Sequence, residues 1–158
     1  GRRLRQEAKK SRERLRRLAK AGDKGAQRVL RTRAERISEL GPKEIMYLGT
    51  MPQEVADRFG VKSRTVVLTG ERRRHYLEKH PEMRKAEHLL SRLVSKPTIV
   101  MPNRRDPDVV IFYLQSENRY LRAAVIMSRD AKERQHSIAS LRWERASEYR
   151  RYARLVGG

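Results

Sequence analysis

The sequence contains no cysteine, which excludes disulfides and thiolate metal sites. Aromatic residues make up only 6% of the chain. No amphipathic stretch carries the bulky aromatic face that binding to a membrane surface requires. No run approaches the apolar length of a membrane span, and no hydrophobic signal-peptide core opens the sequence. A glycine-rich phosphate loop is also absent, and nothing calls for a cofactor. The largest deficit is in acidic residues. There are 19 Asp and Glu against 39 Lys and Arg, a formal net charge of +20. Such an excess points to a polyanionic partner, with phosphate contacts supplying most of a salt-dependent affinity.

Half of that charge lies in the first quarter of the chain. Residues 1–40 hold 15 Lys and Arg against 5 Asp and Glu. Leu4, Ala8, Ser11, Leu15 and Leu18 recur at alternating spacings of four and three, which predicts a helix over Arg2 to Lys20 with a narrow apolar seam. Gly22 suits a helix stop and Asp23 an N-cap. A second helix is predicted from Lys24 to Leu40, ending at Gly41-Pro42, and the two could pack as an antiparallel hairpin. Residues 1–41 therefore read as a basic helical arm that holds RNA or DNA, or equally as a solvated linker to a larger parent protein. Residues 42–158 read as one α+β domain.

Within that domain, Glu44 to Gly49 reads as a strand, Pro52 to Phe59 as a helix stopped by Gly60, and Arg64 to Leu68 as a strand. A turn at Gly70 then leads into a short helix that Pro81 closes, because a residue before proline is pushed out of the α region. A further helix is expected over Met83 to Val94, with His88 at its boundary. Four strands follow: Thr98 to Met101, Val109 to Gln115, Tyr120 to Met127 and His136 to Trp143. The second is almost wholly apolar, as a strand covered on both faces should be. Ser147 to Leu155 closes the chain as a helix. The expected fold is N-terminal helices followed by a four-stranded antiparallel sheet, with helices packed on one face. Val55 to Val66 has the outline of a helix-turn-helix, but the β-branched run Thr65 to Thr69 would make a poor recognition helix.

The candidate chemistry centres on the helix after Gly70. It carries Arg72, Arg74, His75, Lys79 and His80, two of the four histidines among closely spaced cations. Arg72, His75 and Lys79 are three and four residues apart and share a face. A regular helix makes His75 the solvent-facing catalyst and turns His80 toward the core with Tyr76 and Leu77, as a buried or capping residue. Unwinding before Pro81 would let both imidazoles converge on one phosphate. The surrounding cations oppose a metal ion, so no metal site is expected.

Alternation along the later strands places Arg122 mid-strand, where a phosphate or a carboxylate such as Glu78 must partner it. The same alternation puts Ser140 and Arg142 on one face, where they could meet Arg122 beneath the His75 helix. Arg104, Arg105, Arg129, Arg134 and His136 fall in predicted loops, where recognition residues concentrate. Tyr113, Tyr120 and Trp143 would either stack on unpaired bases or pack in the core.

Several of these pieces occur in a familiar order. Gly49-Thr50-Met51-Pro52, Gly60-Val61-Lys62-Ser63, Val67-Leu68-Thr69 and His75-Tyr76-Leu77-Glu78-Lys79-His80-Pro81 precede a four-stranded sheet. Over residues 44–145 the chain resembles the phage- and mobile-element-associated nuclease domains of the barnase–EndoU–colicin–RelE superfamily. That resemblance implies a metal-independent ribonuclease fold used as a toxin or phage effector, acting on tRNA or other structured RNA. It makes Ser140, or Ser137, the nearest match to the family's catalytic hydroxyl residue. It also implies a cytoplasmic site of action, reached by delivery from a phage or secreted parent protein. With the charge, it suggests an acidic immunity or antitoxin partner.

Metal-free cleavage needs a base for the 2′-hydroxyl proton, an acid for the leaving 5′-oxygen, and fixed cations on the phosphoryl oxygens. Imidazole suits both proton roles, and the arginine fork suits the phosphate. The sequence-based assignment is His75, His80, Lys79, Arg122 and Ser140 in catalysis, with Arg72, Arg74, Arg104, Arg105, Arg129 and Arg142 on the substrate. It makes His75→Ala the change that removes cleavage but spares RNA binding. The alternatives are a non-catalytic nucleic-acid-binding module and a structural phage-particle segment contacting DNA. The arm generates its own prediction. Acidic substitutions within residues 2–36 should weaken RNA binding. They should also flatten the slope of log affinity against log salt, by about one for each phosphate the arm no longer neutralises. A titration over several salt concentrations with an unchanged slope would reduce the arm to a linker.

Overall fold

The computed structural model describes residues 36–128 and 135–155. The predicted arm helices up to residue 35, together with Arg129 and Arg134, lie outside the described residues. Of the second arm helix only the end is described, and there Ile37–Glu39 form a single 3-10 turn.

The chain continues through β1 (Ile45–Thr50), α1 (Gln53–Phe59), β2 (Thr65–Thr69) and α2 (Gly70–Lys79). A 3-10 segment (Pro81–Leu89) and α3 (Leu90–Ser95) follow. The remainder is β3 (Ile99–Pro102), β4 (Val109–Ser116), β5 (Arg119–Ile126), β6 (His136–Arg145) and α4 (Ala146–Leu155). Local chemistry explains several boundaries. Gly60 adopts φ +68°, the left-handed cap that ends α1. Thr69 caps α2, its side chain accepting from the backbone N–H of Arg72.

The domain is α+β, as expected, but its sheet has six strands in the order β1-β2-β6-β5-β4-β3. The expected meander forms as antiparallel β3–β4, β4–β5 and β5–β6 pairs. The four-stranded, all-antiparallel expectation fails at one seam, where β2 joins β6 in parallel through the pairs Val66–His136 and Val67–Ser137. β1 then adds to β2 antiparallel. Both early strands read correctly as strands. What their sequence does not carry is the long-range partner, because a parallel pairing leaves no turn signal.

Helices also cover both faces rather than one. On the first face, α1, α2, the 3-10 segment and α3 bury Val66, Leu68, Phe112, Leu121, Ala123, Val125, Ile138 and Leu141 beneath Ala56, Tyr76, Met83, Leu90 and Leu93. On the second face, α4 packs Tyr149, Tyr152 and Ala153 against Met101, Ile111, Tyr113 and Ala124. α4 follows β6 without an intervening turn and therefore runs back across β5 and β4. The predicted helix Met83–Val94 is divided. Met83, Ala86 and Leu89 repeat every three residues and face the core, the period of a 3-10 helix. Only from Leu90 does the α period take over.

Two buried polar devices hold this arrangement. Arg73 grips Glu87 through Nε and Nη2 at 2.7 and 2.8 Å, and the Tyr76 hydroxyl donates to the same carboxylate. The bond to Glu87 raises the Arg73 pKa, and burial raises that of Tyr76. Removing one member of such a buried pair typically costs about 3–5 kcal/mol, so α2 is fixed in rotation against the 3-10 segment.

The second device is His136, named among the loop candidates although the fourth strand is also expected to start there, and fully buried as the first residue of β6. Its Nδ1 accepts from the Ser128 N–H at 2.9 Å, and its Nε2 lies 2.7 Å from the Ser63 carbonyl oxygen. Only the neutral ring protonated at Nε2 serves both partners. Burial accordingly lowers its pKa. The neutral folded form and the ordinary unfolded pKa fix the sign of the pH response. His136 contributes stability that is intact above about pH 6.5 and is lost as pH falls from there toward its depressed folded value. Urea midpoints of the wild-type protein should fall over that window, and His136→Gln should show a weaker fall there.

Candidate nucleic-acid interface

β6 presents polar residues to the second face. A bulge shifts the register after Ala124, so Ser140, Arg142 and Glu144 share that face while Leu141 and Trp143 turn to the first. Arg122 on β5 pairs directly with Arg142. Between the two arginines lies the Glu144 carboxylate, with only 3% of its side chain exposed. Arg122 Nε is 3.3 Å and Arg142 Nη2 3.4 Å from Glu144 Oε2, and the Tyr113 hydroxyl donates to Oε1 at 3.2 Å. Burial raises the Glu144 pKa, and the two guanidinium groups only partly oppose it. Burial likewise raises that of Tyr113. The partner of Arg122 is thus Glu144 and not Glu78, which sits 3.9 Å from Arg74 on the outside of α2.

Arg122 is paired electrostatically but not saturated. Its Nε–H is buried and makes no hydrogen bond, unlike any other buried side-chain polar atom among the described residues. Its guanidinium also lies 5.7 Å from the Tyr152 ring of α4. A buried donor held against its ion-pair partner without completing a hydrogen bond is rare and costs free energy. Arg142, by contrast, keeps 44% of its side chain exposed, and Ser140 beside it is exposed. The cluster is therefore closed by α4 on one side and open along β6 on the other.

Farther along β6 the same face opens into a cleft of about 670 Å³. Its floor is Ile45, Val67, Ile126 and Ser137. One wall is Pro42–Glu44 with Thr69, Glu71 and Arg72 from the start of α2, and the other is Met127, Ser128 and Gln135. Gly70 makes the first wall possible. Its N–H donates to the Glu44 carbonyl at 2.9 Å, and a Cβ there would fall 1.7 Å from the Gly41 oxygen. Gly70 is thus the first residue of α2, chosen for close backbone approach, and not the expected turn.

The structure divides the sequence-predicted site. Arg122, Arg142 and Ser140 do share a face, and Arg72 and Ser137 line the cleft on that face. The rest of α2 packs on the opposite side of the sheet. Arg74, His75 and Lys79 are exposed on its outer surface, so the expected meeting of His75 with Arg122 and Ser140 does not occur. His75 approaches the cleft only through Glu71, 3.8 Å from its Nε2. His80 is neither core-facing nor joined to His75. It is the partly exposed C-cap of α2, with Nδ1 3.6 Å from Glu82. Arg104 and Arg105 are exposed in the β3–β4 loop, where Asn103 accepts from the Arg105 N–H and Tyr152 from that of Arg104. His88 is exposed on the 3-10 segment.

The aromatic candidates are mostly structural. Tyr120 stacks on Tyr149 at 4.2 Å, Tyr113 meets both rings edge-on, and Arg119 lies 3.7 Å over Trp143. Sequence reasoning misses Glu144, because the apolar pattern of the fourth strand stops at Trp143. The signal is present in the i, i+2 spacing of Arg142 and Glu144.

The cluster makes a pH-dependent prediction. Arg122→Ala should destabilise the fold by about 3 kcal/mol at pH 7, since it strips a cation from a buried carboxylate. A carboxyl whose folded pKa is raised is most favourable when protonated, so the penalty should shrink as pH falls toward 4. Urea unfolding of the variant and wild type at pH 7 and pH 4 measures this. Comparison with protein-family models, curated proteins and solved structures finds no match to this chain.

Proposed function

We propose that this chain is a metal-independent endoribonuclease whose scissile phosphate lies on the second face of the sheet, against Arg122, Arg142 and Glu144. The observation that carries the reading is the buried Arg122 Nε–H, which lies 3.3 Å from Glu144 Oε2 but completes no hydrogen bond, beside a carboxylate whose pKa is raised. A phosphate oxygen would satisfy that donor, and Arg142 would grip a second oxygen with its fork. Both guanidinium groups would then turn from Glu144 Oε2 toward the substrate. A buried carboxylate relieved of its cations is a stronger base.

In this scheme Glu144 takes the proton of the 2′-hydroxyl, and the 2′-oxygen forms a bond to phosphorus. The bond from phosphorus to the 5′-oxygen breaks, that oxygen takes a proton from water at the open edge of β6, and the hydroxide left behind takes the proton held by Glu144, which restores the carboxylate. The products are a 2′,3′-cyclic phosphate and a free 5′-hydroxyl. Arg122 and Arg142 offset the charge that grows on the phosphoryl oxygens. The +20 net charge supports delivery of a polyanion to this face.

One observation favours a second reading, a nucleic-acid-binding module without catalysis. Glu144 already has three partners, and none of the four histidines stands on that face. A single assay separates the two. The protein is incubated with total tRNA in EDTA, and new ends are sequenced. The nuclease reading expects cyclic-phosphate ends, reduced about 100-fold or more in Glu144→Gln and retained in His75→Ala. Loss in His75→Ala with retention in Glu144→Gln would return the site to α2. Intact but gel-shifted RNA would favour the binding module.

A further inference from the structure

The cleft at the parallel seam has no role in the phosphate chemistry above. We infer that it receives an unpaired nucleobase of the bound RNA strand. The inference rests on RNA lying along the second face, since Ser137 in the cleft and Arg142 at the phosphate cluster project from that same face of β6.

Three features identify the occupant by its chemistry. The first is size: about 670 Å³ lies within the range of small-molecule sites. The second is the floor. Ile45, Val67 and Ile126 come from β1, β2 and β5 and give the floor an apolar surface on either side of Ser137, which β6 places between the last two. A planar ring can lie on such a surface, whereas a phosphate or a sugar gains little from it. The third is the mixture of charges on the walls. Lys43 and Arg72 are there, but so are Glu44 and Glu71. Two carboxylates repel an anion, so the lining does not suit a phosphate alone. It suits a base edge, where ring nitrogens and carbonyl oxygens accept from arginine while exocyclic amino groups donate to carboxylates. Gln135, Ser128 and Ser137 add groups that both donate and accept.

The geometry also explains why the cleft is built on firm elements. One wall is tied to α2 through the bond from Gly70 to Glu44. The floor crosses the seam that His136 clamps. A recognition pocket so placed would be preformed, so little ordering free energy would be lost on binding.

The test uses the full chain and four kinds of probe: the four nucleosides, their 5′-monophosphates, ribose 5-phosphate and inorganic phosphate. Binding is followed by NMR shifts of the Ile45, Val67 and Ile126 methyl groups. At least one nucleoside should move these methyls, and ribose 5-phosphate and inorganic phosphate should not. Ser137→Phe, which fills the cleft from its floor, should weaken nucleoside binding about tenfold or more. Arg72→Ala, an exposed change that leaves the core untouched, should weaken it several-fold and alter which base is preferred. Equal shifts from inorganic phosphate would overturn the inference in favour of a phosphate site. So would the absence of any nucleoside response.

The two proposals fail separately. Cyclic-phosphate ends that depend on Glu144, with no nucleoside in the cleft, would remove the base pocket and keep the nuclease. Nucleoside binding in the cleft without any cleavage would do the reverse.

Discussion

One buried, neutral imidazole holds the two halves of this sheet together. The parallel contact between β2 and β6 is only two registered pairs long, too short to be secure by ladder bonds alone. His136 reinforces it from within, reaching the Ser63 carbonyl before β2 and the Ser128 amide after β5. Three chain segments far apart in sequence therefore share one side chain. Without that seam, β1, α1 and β2 would be an appendage beside a four-stranded meander. The cleft would not exist, since its walls come from both sides of the joint.

A second constraint decides what α2 can do. Arg73, Tyr76 and Glu87 form a buried, bidentate ion pair with a phenol attached. Such a pair adds little net stability once desolvation is counted, but it tolerates only one geometry. It sets the rotation of α2 about its axis. Arg72 consequently lines the cleft at the start of the helix, while His75 and Lys79 face away from the sheet. The split of the histidine-rich stretch is thus a consequence of its neighbour Arg73, the one cation of that stretch that turns inward.

Much of the local structure is legible in the chain. β-branched and apolar runs mark all six strands, Gly60 marks the end of α1, and Pro81 marks the end of α2. Alternation puts Ser140 and Arg142 on one face, where Arg122 joins them, but that face is not the one α2 covers, and the bulge after Ala124 turns Ile138, expected beside them, to the other. It fails for Glu144 because a strand's end is poorly defined by pattern, and here the strand runs two residues further and leads directly into α4. The 3-10 segment escapes notice because Met83, Ala86 and Leu90 fit an α-helical face as well as a three-residue repeat up to Leu89. His136 is placed rightly at the start of the fourth strand, but its role escapes notice for a different reason. Nothing nearby in sequence reveals that two backbone groups are waiting for it.

The sequence by itself determined where the strands lie, where α1 and α2 end, and the excess of basic charge. These depend on near neighbours: periodicity of two or three to four residues, caps, proline and the sum of charges. The tertiary structure alone decided which strands became neighbours and which face each helix covered. It also decided which cation met which carboxylate. Those outcomes depend on contacts across dozens of residues, such as Arg122 with Glu144 and His136 with Ser63, and no local pattern encodes them. For that reason the histidines that dominate the sequence stand apart from the sheet-face cluster, and a carboxylate that looked incidental lies between its two arginines.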